Sequence, residues 1–318
     1  MKSKNNLLSL SCLVKRNIKL FLKDKMLVLF SVLAPLIILI LYIFFLTDLQ
    51  VGTIENVIKE AGIDGIDPKL VTGFLNNWML SGVMAVSCIT VAFNVNTIMV
   101  RDRERGSVND VLAAPVKRWV IYASYIITCF VLTFCICFIV LLVALIYLAC
   151  TGGFMMSFVD FLAILGITIF SIVSSSFISV FLVSFMKTEG SLGAFNGIFA
   201  AAIGFLIGAY LPLSILPKPV QYFVCFIPGA YSAGLFRNYF LRGPMEKLLE
   251  VLPGDVVKQL MGSYSVQMEF FGTTISSGWM VFALAISIIV FVGLLIIFYS
   301  NKKTNFFALG MRKKKKKK

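Results

Sequence analysis

The 318-residue chain contains no histidine. Histidine is the usual general base near neutral pH and a frequent metal ligand, so its absence removes most hydrolytic dyads and zinc sites. Carboxylates are scarce as well: 15 Asp and Glu stand against 29 Lys and Arg, for a formal net charge of +14. The long apolar runs hold essentially no ionisable residue, which leaves a proton or cation no ligand inside a bilayer and argues against an ion-coupled carrier. The dipeptide Gly-Lys never occurs, so the chain lacks a G-x-x-x-x-G-K-[ST] phosphate loop. No catalytic residue, metal site or bound cofactor is expected of it. The seven cysteines mostly sit in or beside apolar runs. Cys135 and Cys137, two apart on a helix, point to nearly opposite sides and cannot chelate one metal, so the cysteines read as small packing residues. A Cys150–Cys225 bridge would require both residues to lie outside the cell.

What the chain has is apolar text: 59% hydrophobic residues and a mean hydropathy of +0.94. A soluble domain of this size needs a polar surface that this composition cannot supply. Several runs reach the roughly 20 residues that a helix needs to cross the hydrocarbon core, and they are apolar on every face, which favours helices over strands. The fold class is an all-α integral membrane protein with spans near Met26–Leu46, Met79–Val100, Trp119–Ala149, Phe158–Met186, Leu192–Leu211 and Trp279–Ser300. The third and fourth exceed the bilayer thickness, which predicts tilt or projection. No small-residue cleavage site follows the first, so it reads as an uncleaved anchor.

Lysine and arginine set the orientation. They crowd residues 1–25, the segment after span two (Arg101, Arg103, Arg105, Lys117, Arg118) and the tail at 301–318. That side is expected to be cytoplasmic, with both termini inside a multi-pass protein of the cell membrane. The charge then serves topology and anionic lipid; no nucleic-acid partner is implied. The expected extracellular segments are 47–78, with a short helix near Ile54–Ala61, and 212–278. The second is broken by Pro212, Pro217, Pro219 and Pro228, too interrupted to span. It suits a re-entrant or interfacial hairpin, followed by a polar helix around Pro244–Met261.

Between spans two and three lies "RDRERGSVNDVLAAPVKRW". Gly106 ends the preceding helix. Ser107 with Asp110 resembles a capping-box start, and Val108, Val111 and Leu112 make one apolar stripe. Pro115 stops the helix by forcing residue 114 out of helical geometry. A solvated loop that fixes topology would explain the charges. A partner surface would explain the stripe and the proline as well.

The stretch resembles the signature of ABC type-2 permeases through Asp102, Glu104, Gly106, Ser107, Leu112, Pro115 and Arg118. A second stretch, "LPKPVQYFVCFIPGAYSAGLFRNYFL", resembles the family's outer motif through Leu216, Pro217, Pro228, Tyr231 and Arg237, with Ile227 where an Asn often stands. The resemblance implies a domain plan of a connecting helix at 1–25 (apolar stripe Leu10, Val14, Ile18, Phe21), a six-span permease domain at 26–300 and a basic tail at 301–318. It also implies that the Ser107–Ala114 helix couples to a separate ABC ATPase subunit. Two ATPase copies, with their ATP and magnesium, would pair with two permeases, either a second copy of this chain or a homologue. The implied activity is outward transport of a drug, peptide, lipid or glycolipid. A non-transporting sensor or assembly partner of the ATPase, or an independent channel, remains the alternative. Met186–Gly190 would be a second, small cytoplasmic contact.

Two polar or small stripes complete the reading. Ser87, Thr90, Asn94 and Thr97 share one face of span two and could line a pathway. Gly193, Gly197, Gly204 and Gly208 in span five permit close helix approach, against a neighbour or a partner permease. Ordinary packing explains both stripes too, with Ser and Thr bonded to nearby carbonyls. Ser171, Ser175 and Ser179 in span four read as packing residues.

Overall fold

The computed structural model describes residues 2–46, 52, 54 and 67–300. The expected helix at Ile54–Ala61 and the lysine-rich tail fall largely or wholly outside the described residues. Among the described residues six helices are long and apolar enough to cross a membrane: Lys25–Phe44, Pro68–Arg105, Arg118–Cys150, Phe158–Val183, Glu189–Leu206 and Ser277–Ser300. Each overlaps an expected span, but the second begins at Pro68 rather than Met79. Residues 68–78 of the expected extracellular segment 47–78 are thus helical and mostly buried, capped by Asp67 and opened by Pro68. The fifth stops earlier than expected because Gly208 turns the chain at φ 71°.

Helix α1 (Lys2–Lys23) ends at Asp24, whose carboxylate accepts the Leu27 N–H at 3.0 Å and caps α2 (Lys25–Leu41). Helix α3 (Pro68–Val95) starts with Asp67 as cap and proline at its first position. Asn96 breaks it from α4 (Thr97–Arg105), and Gly106 separates α4 from α5 (Ser107–Ala113). Then come α6 (Arg118–Cys150), α7 (Phe158–Val183) and α8 (Glu189–Leu206). The proline-rich segment forms α9 (Lys218–Val224) and α10 (Pro228–Phe240), two short helices joined at Cys225–Ile227. The expected single helix at Pro244–Met261 is two, α11 (Arg242–Val251) and α12 (Gly254–Ser263). Pro253 cannot donate the N–H that would continue the first, so the chain restarts there. A two-strand hairpin, β1 (Glu269–Phe270) and β2 (Thr273–Thr274), was not anticipated. Helix α13 (Ser277–Ser300) closes the described chain.

Helix α3 is the axis of the bundle. In the apolar stretch of its span 89% of the residues are buried, against 22%, 17% and 17% in those of the first, fifth and sixth spans. Small side chains explain the difference. A Cβ on Gly82 would stand 2.6 Å from the carbonyl oxygen of Ala209, and one on Gly73 would stand 3.5 Å from the Cα of Gly153. Such positions let backbones close on α3 from several directions and multiply dispersion contacts, which drive helix association where water is absent. Helix α10 is buried along almost its whole length against α3, α7 and α13. The poorly buried faces of α2, α8 and α13 are left for lipid or another chain.

The segments sort to two ends. Arg16, Arg101–Arg105, Ser184, Glu189 and Tyr299 meet at one, the basic end. Gly153, Tyr264 and the Asp160–Arg242 ion pair meet residues of α3 and α7 at the other. Cys150 and Cys225 are free thiols, one exposed and one buried.

Candidate functional site: a helical hub at the basic end

Helix α4 advances 100° per residue, so five consecutive side chains address every direction around it. At the basic end four elements surround it, and each of these residues finds a partner on one of them. Arg101 spans two acids: its guanidinium lies 2.8 Å from Asp24 at the α1–α2 corner and 2.9 Å from Glu189 at the start of α8. Asp102 turns the opposite way, into the protein. It accepts both arms of the Arg16 fork, at 2.7 and 2.9 Å, and the hydroxyl of Tyr125 at 2.6 Å. Arg103 donates to the carbonyls of Ser184 and Met186, the last turn of α7 and its exit. Glu104 accepts the backbone N–H of Glu189 at 2.7 Å. Arg105 adds a looser contact to Glu189 at 3.9 Å.

The electrostatics follow from these distances. A bidentate Arg–carboxylate pair is among the stronger charge-assisted contacts, and Asp102 holds the Arg16 guanidinium above its ordinary pKa. The Asp24 carboxyl is held below its ordinary value, first by the Leu27 N–H and then by Arg101. Of the expected α1 stripe Phe21 is buried and Leu10, Val14 and Ile18 are half-buried; Asn17, outside it, is buried too, while Lys15 and Lys19 are exposed.

Helix α5 projects from this hub. Gly106 adopts φ 78°, a left-handed conformation that glycine takes without a Cβ penalty, and separates α4 from α5. Two details of the sequence reading change here. Ser107 makes no capping bond, because Gly106 holds the cap position and Ser107 is already in the first turn. The stripe of Val108, Val111 and Leu112 packs on the chain's own core, Val108 being buried and the other two half-buried. The exposed face is instead Asn109, Asp110, Ala113, Ala114 and Pro115, with Arg118 beyond it. Ala114 is extended at ψ 150°, the geometry that Pro115 imposes.

The other expected residues are distributed as follows. Ser87 and Thr90 are buried in the protomer and donate to the carbonyls of Val83 and Val86, the ordinary packing arrangement. Asn94 and Thr97 are half-exposed, and Asn94 accepts the Asn196 amide across to α8. Gly193 and Gly197 face open space, whereas Gly204 is covered by Tyr210. Gly208 exposes its carbonyl to the buried guanidinium of Arg237. Arg237 also donates to Ser265 at 3.3 Å and lies 5.1 Å over the Trp78 ring. Pro217 and Pro228 start α9 and α10, and the Tyr231 hydroxyl closes the hairpin on the Cys225 carbonyl at 2.6 Å.

Arg16, Asp24 and Tyr125 are hub residues that the sequence reading did not single out, whereas Glu189 lies in the Met186–Gly190 segment that it did. Arg16 and Asp102 are 86 positions apart, so no local spacing joins them. The one available signal was an acid set between Arg101 and Arg103 in an acid-poor chain. Among the described residues no cluster of His, Cys, Asp and Glu could hold a metal ion.

A comparison with curated proteins finds no match. The family model of the ABC-2 type transporter matches residues 9–241, from within α1 through the end of α10. Six membrane-length helices among the described residues, a short helix that follows a charged hub between the second and third, and a family match over most of the chain lead to one assignment. The chain belongs to the ABC-2 type transporter family, as a multi-pass permease subunit of an ABC transporter whose ATPase is a separate partner subunit.

Proposed function

We propose that this permease works as an exporter in which the ATPase grips the exposed face of α5. Two permeases, taken here as two copies of this chain, pair with two ATPase subunits that bind ATP and magnesium. The basic end lies in the bacterial cytoplasm. Closure of the ATPases pulls α5, and the hub passes the displacement on. The observation that carries this reading is the set of contacts from Arg101 to Glu104. They tie the residue segment next to α5 to α1, to the α1–α2 corner, to the end of α7 and to the start of α8. A rigid junction of this kind converts motion of one short helix into concerted tilt of several spans, as two-state transport requires.

Substrate moves outward along the lightly buried faces of α2 and α8. Asn94 and Thr97 contribute polar atoms to that path, and Gly193 and Gly197 allow a partner permease to approach. An apolar or amphipathic cargo, such as a drug, peptide, lipid or glycolipid, suits a path whose membrane-spanning faces are apolar apart from neutral side chains such as Asn94 and Thr97.

The test is co-purification of the permease with its ATPase, with transport measured in the reconstituted complex. Asn109→Trp and Ala113→Trp place bulk on the exposed face of α5 without touching the packed stripe. Both are expected to abolish nucleotide-dependent transport and to release the ATPase. Unchanged complex and transport in both variants would remove α5 from the interface.

A further inference from the structure

The end opposite the hub carries a two-faced hairpin that the transport reading does not use. Strands β1 and β2 pair Glu269 with Thr274 and Phe270 with Thr273. Side chains alternate across a strand, so the first pair faces one side and the second pair the other. On the first side is a cavity of about 510 Å³ whose lining includes Lys218, Gln221, Lys258, Gln267 and Glu269. On the second is a largely aromatic groove of about 420 Å³, lined by Tyr231, Phe270, Thr273, Trp279, Phe282 and Ile286, with Thr274 bordering both hollows. The groove runs onto the exposed face of the last span, where Trp279 and Phe282 are 64% and 53% exposed. Aromatic rings at the end of a span are the usual mark of the membrane–water boundary.

The turn supports the same placement. Phe271 and Gly272 both take positive φ, 48° and 87°, the conformation of a two-residue hairpin that Asn-Gly fits with less strain. A phenylalanine there costs on the order of 1 kcal/mol, and its ring is half-exposed, stacked on Tyr222 at 4.8 Å beside the exposed Phe226. In water that arrangement gains little; in the acyl region the exposed faces of the rings are covered.

We propose that this hairpin and its polar cavity bind an anionic phospholipid of the outer leaflet. Lys218 and Lys258 hold its phosphate, Glu269 accepts a headgroup hydroxyl, and an acyl chain lies along the aromatic face. Two ammonium groups against one carboxylate favour a net negative headgroup with hydroxyl donors, phosphatidylglycerol, over phosphatidylcholine. The proposal rests on the outward placement of this end. Cysteine labelling of Gln267→Cys from outside intact cells, in a chain without its native cysteines, tests that placement separately.

The binding test uses the full chain purified in detergent with its ATPase. Phosphatidylglycerol, phosphatidylcholine or soluble glycerophosphate is added, and retained adducts are read by native mass spectrometry. The wild type is expected to retain phosphatidylglycerol in preference to phosphatidylcholine. Lys218→Gln with Lys258→Gln is expected to weaken that retention roughly tenfold or more, while Lys247→Gln, on the exposed face of α11 outside the cavity, leaves it unchanged. Phe271→Ser is expected to weaken the lipid but not glycerophosphate. Equal retention of the two lipids, or losses as large in Lys247→Gln as in the double variant, would overturn the site. Glycerophosphate binding as tight as the lipid, indifferent to Phe271→Ser, would make the ligand a soluble phosphate ester and overturn the lipid assignment. Failure of Gln267→Cys to label, with binding intact, would overturn the outward orientation and with it the outer-leaflet assignment.

Discussion

Replacing Asp102 by Asn keeps the side chain's shape and removes its charge. In the native protein the Asp102 side chain is 7% exposed and that of Arg16 is 33% exposed. Both guanidinium arms reach the carboxylate, at 2.7 and 2.9 Å. The Asn amide can accept only one of those arms, and its NH2 group confronts the other. Breaking a fully buried pair from one side costs about 3–5 kcal/mol. A third of Arg16 is in contact with solvent, so water recovers part of that, and about 2 kcal/mol remains. At the roughly 2 °C per kcal/mol appropriate to a long chain, the midpoint of thermal unfolding should fall by about 4 °C. Arg16→Gln should cost a similar amount, since it strands the carboxylate with only Tyr125 as donor. The double variant Arg16→Gln/Asp102→Asn should cost less than the two singles together, by on the order of 1–2 kcal/mol. Nucleotide-dependent transport should fall in the singles and recover in part in the double. The assay is thermal unfolding of the permease–ATPase complex at a fixed scan rate, with transport measured on the same preparations. Additivity within about 0.5 kcal/mol would mean that the pair does not join α1 to α4, and the hub would lose its firmest link.

Three further outcomes are expected. Gly106→Val forces a β-branched residue into φ 78° and should cost roughly 1–2 kcal/mol; hydrogen exchange should rise across α5 and transport should fall while the chain stays in the membrane. Gly82→Ala should sharply lower the yield of folded protein, because its Cβ would meet backbone atoms of Ala209 at 2.6 and 2.8 Å, whereas Gly197→Ala, facing open space, should be tolerated. The Asp24 cap should make stability pH-dependent: its carboxyl pKa is lowered in the folded state, so its contribution is full above the ordinary carboxylate pKa and is lost as pH falls through the lowered one. Asp24→Ala should therefore destabilise by about 1 kcal/mol at neutral pH and approach the wild type in acid, which a pH series of unfolding midpoints would read.

The spans were legible because each is a property of one contiguous stretch. Length and hydropathy placed all six, but missed the start of the second, where the polar residues Asn76 and Asn77 are buried by packing and the helix begins at Pro68. Gly106 and Pro115 were legible for a similar reason, since each acts on its own backbone. What escaped depended on packing. The stripe of Val108, Val111 and Leu112 has the same spacing whether it meets a partner or its own core, and only the fold shows that it turns inward. Ser87 and Thr90 lie on one helix face in either reading, yet burial directs them to their own carbonyls. The Arg16–Asp102 and Arg101–Glu189 pairs join residues far apart in the chain. The β1–β2 hairpin was hidden because Phe271 occupies a turn position where an Asn would have announced it.

The central claim is that the ATPase holds the exposed face of α5. A photo-crosslinking side chain at Asp110, which is exposed, tests it in intact cells, with Val108 as a buried control and Gln267 as a control on the opposite end. The account gives a nucleotide-sensitive crosslink to the ATPase from Asp110 and none from Gln267. A crosslink absent from Asp110, or present only from Gln267, would contradict it.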